Sequence, residues 1–184
     1  LKCKICGMDI NERNYNYNES AFLNKNSKDN IIYCPFCGVG HEYLSDENEI
    51  INLESSVLDE KTLKILDHAV KLELFNGDFY NTAANMAKDV EVKRVFEALA
   101  KIEIFHSRIH QRLGGFKEAP NLSKVSYDRY DTDRALLELA KLKEEHAVSY
   151  YERYKYEVSN EKLFKIFEAL AGVEKEHIVL VEEE

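Results

Sequence analysis

The second half of this chain repeats the first at a constant offset of 71 residues. Glu73, Glu103 and His106 recur as Glu144, Glu174 and His177. Tyr80 recurs as Tyr151, and Phe96-Glu97-Ala98-Leu99-Ala100 recurs as Phe167-Glu168-Ala169-Leu170-Ala171. In each half the first glutamate precedes the second by thirty residues, and the second opens a Glu-x-x-His. An internal repeat constrains architecture before any other feature, because one unit must fold twice. Here the repeated unit carries metal-ligand chemistry, so it bears on function as well.

The chain has two regions of different grammar. Residues 1 to about 45 are rich in Asn, Lys, Tyr, Cys and Gly, lack a helical period, and are broken by turn formers such as Asn24-Lys25-Asn26-Ser27. They predict loops and short strands around a metal. From about Ser56 onward, Gly and Pro almost vanish and apolar residues recur every three or four positions. Ser56 and Asp59 predict a capped start for a first helix running to about Lys88. A second helix is expected from about Glu91 to Leu113, stopping at Gly114-Gly115. One of Asp131, Thr132 or Asp133 caps a third helix ending near Val158, and Ser159 or Asn160 caps a fourth that nears the C-terminus. Short links within each pair and one longer connection between pairs predict an antiparallel four-helix bundle.

Each helix places a Glu inside its apolar seam. The stripes run Leu66-Ala69-Glu73-Asn76-Tyr80, Phe96-Leu99-Glu103-His106-His110, Leu137-Ala140-Glu144-Ala147-Tyr151 and Phe167-Leu170-Glu174-His177-Val181. A carboxylate buried alone is very costly, and four in one core repel one another unless positive charge sits among them. Divalent ions supply that charge, and residues i and i+3 share a helix face. A lone Glu-x-x-His is common on solvated helices; two copies with matched spacing in four seams point to metal. His110 breaks the repeat, since its counterpart is Val181. It reads as a core residue or one supporting the ligands. His68, His146, Glu97 and Glu168 leave the seams and read as solvated.

All four cysteines lie in two knuckles, Cys3-Lys4-Ile5-Cys6-Gly7 and Cys34-Pro35-Phe36-Cys37-Gly38. Four thiolates in tetrahedral array suit one zinc or iron ion. So small a region has little core and needs the ion to fold. The division expected is residues 1–50 for this unit and 51–184 for the bundle. A net charge of −9 argues against a nucleic-acid partner. No apolar run approaches the roughly 20 residues of a membrane helix. Clustered cysteines and no recognisable signal segment make the reducing cytoplasm the expected compartment.

Glu73, Glu103-x-x-His106, Glu144 and Glu174-x-x-His177 resemble the six-ligand pattern of the ferritin-like di-iron carboxylate proteins. The added Cys-x-x-Cys pairs make the chain most similar to rubrerythrins. That resemblance implies an all-α fold, a ferritin-like bundle with a rubredoxin-like or zinc-ribbon unit before it. It implies two iron ions in the bundle, with manganese or zinc as alternatives, and one iron or zinc at the cysteines. Glu103 and Glu174 would bridge the ions; Glu73 with His106, and Glu144 with His177, would complete the two ends. The implied activity is reduction of peroxide or dioxygen by a di-iron oxidoreductase, fed by an electron-donor protein and acting as a homodimer.

Two departures stand against the closest match. Ala147 occupies the position, one turn after Glu144, where peroxide-reducing rubrerythrins carry a further Glu, and Glu145 lies about 100° away on the helix. The site is thereby closer to that of bacterioferritins, so ferroxidase or iron handling is a second expectation. The cysteine unit also precedes the bundle, the less common order. It lacks Trp and has Met8 where rubredoxins usually carry an aromatic, so a structural zinc ribbon competes with an electron-transfer site. A non-catalytic metal-binding scaffold or sensor is the third expectation.

Overall fold

Four capped helices form the body of the molecule. The computed structural model describes residues 1–184 and contains α1 (Glu60–Met86), α2 (Val90–Gly114), α3 (Asp133–Tyr154) and α4 (Glu161–Glu183). Each start is fixed by a side chain that accepts an otherwise unpaired amide. Asp59 accepts from Thr62 N, Asp89 from Glu91 N and Val92 N, Thr132 from Ala135 N, and Asn160 from Lys162 N and Leu163 N. α2 ends where Gly115 takes φ +67°, and Phe116 N donates back to Gln111 O at 3.0 Å.

The all-α, four-helix expectation holds; α1 and α3 end earlier than the periodicity suggests, while α2 runs one residue longer at each end. Ser56 belongs to a 3-10 turn (Ser55–Val57), and Leu58 is extended, so α1 begins only after Asp59. α1 stops at Met86 because Ala87 leaves helical geometry and Asp89 must cap the next helix. Residues 155–158 form turns rather than continuing α3.

The two helix pairs are tied end to end. Asp133 accepts from Lys88 N and Asp89 N, both at 2.8 Å, so the α1–α2 link sits on the start of α3. Ser159 N donates to Thr62 Oγ1 at 3.0 Å, so the α3–α4 link sits on the start of α1. These reciprocal ties make α1 antiparallel to α3. Residues 116–131, without helix, carry the chain across between the pairs.

The N-terminal region is mostly turns around two knuckles, closed by a two-stranded antiparallel ribbon of β1 (Lys2–Cys3) and β2 (Leu44–Ser45). It shares its core with the bundle. One buried cluster runs from Cys3, Ile5, Phe22, Tyr33 and Phe36 into Leu66, Phe96, Leu99 and Phe167. Phe36 packs on Phe105 of α2 with ring centroids 5.5 Å apart. Arg112 of α2 donates to Ile5 O at 2.5 Å. Gly38 lies so close to α4 that a Cβ there would meet Val173 Cγ1 at 2.6 Å, and its φ of +83° disfavours any other residue.

Candidate metal centre

The bundle seams bring the six repeated residues together at the centre of the molecule. Glu73, Glu103, Glu144, Glu174 and His106 are 0% exposed, as is His177. Their ligand atoms fall into two overlapping groups: Glu73, Glu103, His106 and Glu174, and Glu103, Glu144, Glu174 and His177. Within each group the atoms lie within 4.8 Å of one another, and Glu103 and Glu174 belong to both. That sharing is the geometry two neighbouring cations require.

Both imidazoles turn Nδ1 toward the carboxylates. His106 Nδ1 lies 2.9 Å from Glu174 Oε1 and 3.8 Å from Glu73 Oε1 and Glu103 Oε2. His177 Nδ1 lies 3.0 Å from Glu174 Oε2 and 3.5 Å from Glu103 Oε1 and Glu144 Oε1. His106 Nε2 meets the backbone carbonyl of Cys37 at 2.8 Å. A carbonyl only accepts, so Nε2 keeps its proton and Nδ1 is the atom that would give up a proton and face a cation. Metal-binding histidines are commonly held in this way by a second acceptor.

The electrostatics fit cations as well. Burial, then repulsion from Glu174, pushes Glu103 and Glu144 up to about 8. Burial and Glu103 push Glu73 well above the carboxylate range. Burial would raise Glu174 too, but His106 and His177 beside it hold it down. Burial would make both histidines less basic; the carboxylates override it, Glu174 at His106 and Glu144 at His177, and raise them. Glu73 Oε2, Glu144 Oε2 and both oxygens of Glu103 have no hydrogen-bond partner. Unpaired buried oxygens are costly, and divalent ions both satisfy them and offset the repulsion.

The cysteines form a second set. Cys3 Sγ lies 3.7 Å from Cys37 Sγ and Cys6 Sγ 3.6 Å from Cys34 Sγ, with all four free thiols. The knuckles match: Gly7 N donates to Cys3 O and Gly38 N to Cys34 O, each at 2.9 Å. Burial pushes Cys34 and Cys37 up, whereas sulfur contacts led by Cys34 hold Cys3 down. Four thiolates brought this close require a cation among them. Cys34→Ser is expected to abolish ion retention there. It should also lower the thermal midpoint of the whole chain by about 5 °C or more, because the core is continuous. Metal analysis and calorimetry check this; an unchanged midpoint would show that the knuckles fold without their ion.

A family model for the ferritin-like domain matches residues 61–183. The chain belongs to the ferritin-like family. No curated protein and no solved structure matches it. The matched segment spans the four helices and contains the six clustered Glu and His residues; the cysteine region lies outside it.

Within the ferritin-like bundle, several residues fall where the seams placed them. His68, His146, Glu97 and Glu168 are exposed, and so is Glu145, which faces Lys141. Ala147 is 0% exposed, so a methyl group occupies the turn after Glu144. The tyrosines pair crosswise: Tyr80 donates to Glu144 and Tyr151 to Glu73. Each tyrosine follows the glutamate of its own helix by seven residues, about two turns, and the antiparallel packing of α1 and α3 brings it to the glutamate of the other. Burial, then Glu144 for Tyr80 and Glu73 for Tyr151, raises both phenols well above their usual value, so they remain donors. His110 is buried, with Nε2 2.7 Å from Tyr151 Oη. Burial and the neighbouring His106 lower it to about 3, so its ring is neutral. The Cys37 carbonyl and Arg112 had no signal in the sequence, because a backbone acceptor and a docking arginine follow no periodicity.

Proposed function

We propose that this chain is a rubrerythrin-like non-haem di-iron oxidoreductase that reduces peroxide or dioxygen. In this reading Glu73 and His106 hold one ion, Glu144 and His177 hold the other, and Glu103 and Glu174 are shared. Iron bound in this way supplies two electrons to the oxidant, one from each ion. The protein contributes a wholly buried set of carboxylates, two imidazoles that turn Nδ1 toward them, and two phenols that donate to Glu73 and Glu144.

The observation that carries the redox reading is the His106–Cys37 contact at 2.8 Å. It joins one ligand of the bundle to the backbone of a cysteine in the four-thiolate set. If iron occupies that set, electrons from an outside donor protein have a short route into the bundle within one chain, with no need for a second subunit's cysteines. A zinc ion there would leave the knuckles structural.

The test is metal analysis on protein purified without oxygen, followed by stoichiometric hydrogen peroxide. About three irons per chain, with rapid reoxidation of the reduced protein, is the expected result. Two irons and one zinc would keep the oxidoreductase and move electron entry elsewhere. Zinc alone in both sets, with no reaction, would leave a scaffold. Buried Ala147 favours one other reading, a ferroxidase of bacterioferritin type. A many-subunit shell in mass measurements, with iron(II) oxidised by dioxygen and retained, would establish it instead.

A further inference from the structure

Along the seams that carry the six clustered residues, the internal repeat fails at two buried polar positions, both in the same half of the repeat. Asn76, one turn beyond Glu73, is buried where the other half has Ala147, and His110 is buried where the other half has Val181. The hydrogen bonds around the two ends differ accordingly. At the Glu73–His106 end, Tyr151 donates to Glu73 and itself contacts His110 Nε2, and His106 Nε2 is bound to Cys37 O. At the Glu144–His177 end, Tyr80 donates to Glu144 and has no histidine behind it, and His177 Nε2 has no partner.

The direction of the His110 contact follows from proton counting. A metal-bound carboxylate cannot donate, so the single phenolic proton of Tyr151 points at Glu73. His110 must then supply the proton to Tyr151 Oη from Nε2, which leaves Nδ1 bare; Nδ1 indeed has no partner. His110, Tyr151 and Glu73 form a one-way chain of donors ending on a ligand oxygen. A donor behind Tyr151 limits rotation of its hydroxyl and strengthens its own donation. Glu73 is therefore held more firmly toward its cation than Glu144 is, and His106 more firmly than His177.

We propose that the two cation positions of the bundle are unequal and fill in a fixed order, the Glu73–His106 position first. His110, acting through Tyr151, is the positioning residue that sets the order. The inference rests on the two-ion reading above but not on turnover. Partners behind metal ligands are commonly worth about 10–100-fold in affinity, and His110 stands one step further back, so a value near the lower end is expected.

The experiment uses the full chain with zinc held at the cysteines and the bundle emptied of metal. Manganese(II) is added stepwise without oxygen and followed by electron paramagnetic resonance. The first equivalent is expected to give the six-line signal of an isolated ion, and the second a broadened signal from a coupled pair. His110→Leu should weaken the first affinity about tenfold, leave the second unchanged, and bring the coupled signal in before the first equivalent is complete. His110→Gln keeps an N–H donor and should retain the order. Should His110→Leu fail to fold, Tyr151→Phe carries the same prediction, and Tyr80→Phe should weaken only the second step. Two equal affinities in the unaltered chain, or equal weakening of both steps by His110→Leu, would overturn the inference while leaving the two-ion reading intact. A bundle that takes up no manganese(II) would overturn both.

Discussion

Glu103→Leu is expected to stabilise the metal-free chain and to deprive it of both bundle ions. The two effects share one cause. Glu103 is wholly buried, both its oxygens lack hydrogen-bond partners, and burial together with Glu174 pushes it up to about 8. An unsatisfied buried polar group costs about 1–3 kcal/mol, so an apolar side chain of similar volume relieves that cost. In a chain of this size the gain corresponds to about 2–10 °C in the metal-free thermal midpoint. Because Glu103 belongs to both ligand groups, its loss should remove both ions, whereas Glu73→Leu should remove one. Exposed Glu97, six residues earlier on α2, is the control, and its replacement should change stability by less than about 0.5 kcal/mol. Calorimetry and metal analysis on the three variants decide the matter. A destabilised metal-free Glu103→Leu would mean that the carboxylate is satisfied without a cation.

The metal-free chain should also lose stability as pH rises from about 5 to 8. Glu103 and Glu144 are raised from 4.5 to about 8 in the folded state, chiefly by burial. Between those values the folded chain binds more protons than the unfolded one, so raising the pH favours unfolding. His106 and His177 are raised by the facing carboxylates against burial, and their contribution likewise disappears as pH climbs through their folded values. Glu174 is depressed, so its contribution is complete above 4.5 and stays constant across this window. His110, lowered from 6.5 to about 3, works the other way up to about pH 6.5; the raised carboxylates and the two raised histidines outweigh it, and because the groups interact strongly the expected net loss is only about 2–4 kcal/mol rather than the sum of separate shifts. Excess manganese(II) or zinc(II) should flatten or reverse the slope, since cations displace the protons that the empty site holds. Thermal midpoints at several pH values, with and without metal, are the measurement. A metal-free midpoint that rises toward pH 8 would contradict the protonated centre.

Much of this centre was legible in sequence because helical periodicity transmits it. A Glu in the middle of an apolar stripe says that the side chain points inward, and the offset of 71 says that it happens twice; all six residues do lie at the core. Helix ends were less legible, since Ala87 and residues 155–158 continue the apolar pattern but fall where the chain must turn. What lay beyond reach were contacts without a period. The crossed tyrosine pairs depend on α1 and α3 being antiparallel, a tertiary fact. The break in symmetry at His110 was visible, but its partner Tyr151 lies on another helix. The seating of the cysteine region rests on a backbone carbonyl and on close approach at Gly38, neither of which leaves a spacing in the sequence.

Along α2, Glu103, His106 and His110 face the bundle centre, and Arg112 grips the cysteine region through Ile5 O. Two and a half turns of one helix thus keep both sites in register. One residue inserted there would turn everything beyond it by about 100° and shift it about 1.5 Å along the axis. Every contact on the far side of the insertion would be lost together. The stretch 116–131 carries no such angular bookkeeping. Over evolutionary time, changes of length should therefore accumulate between the helix pairs, while the segment from Glu103 to Arg112 can vary in composition between these four residues but not in count.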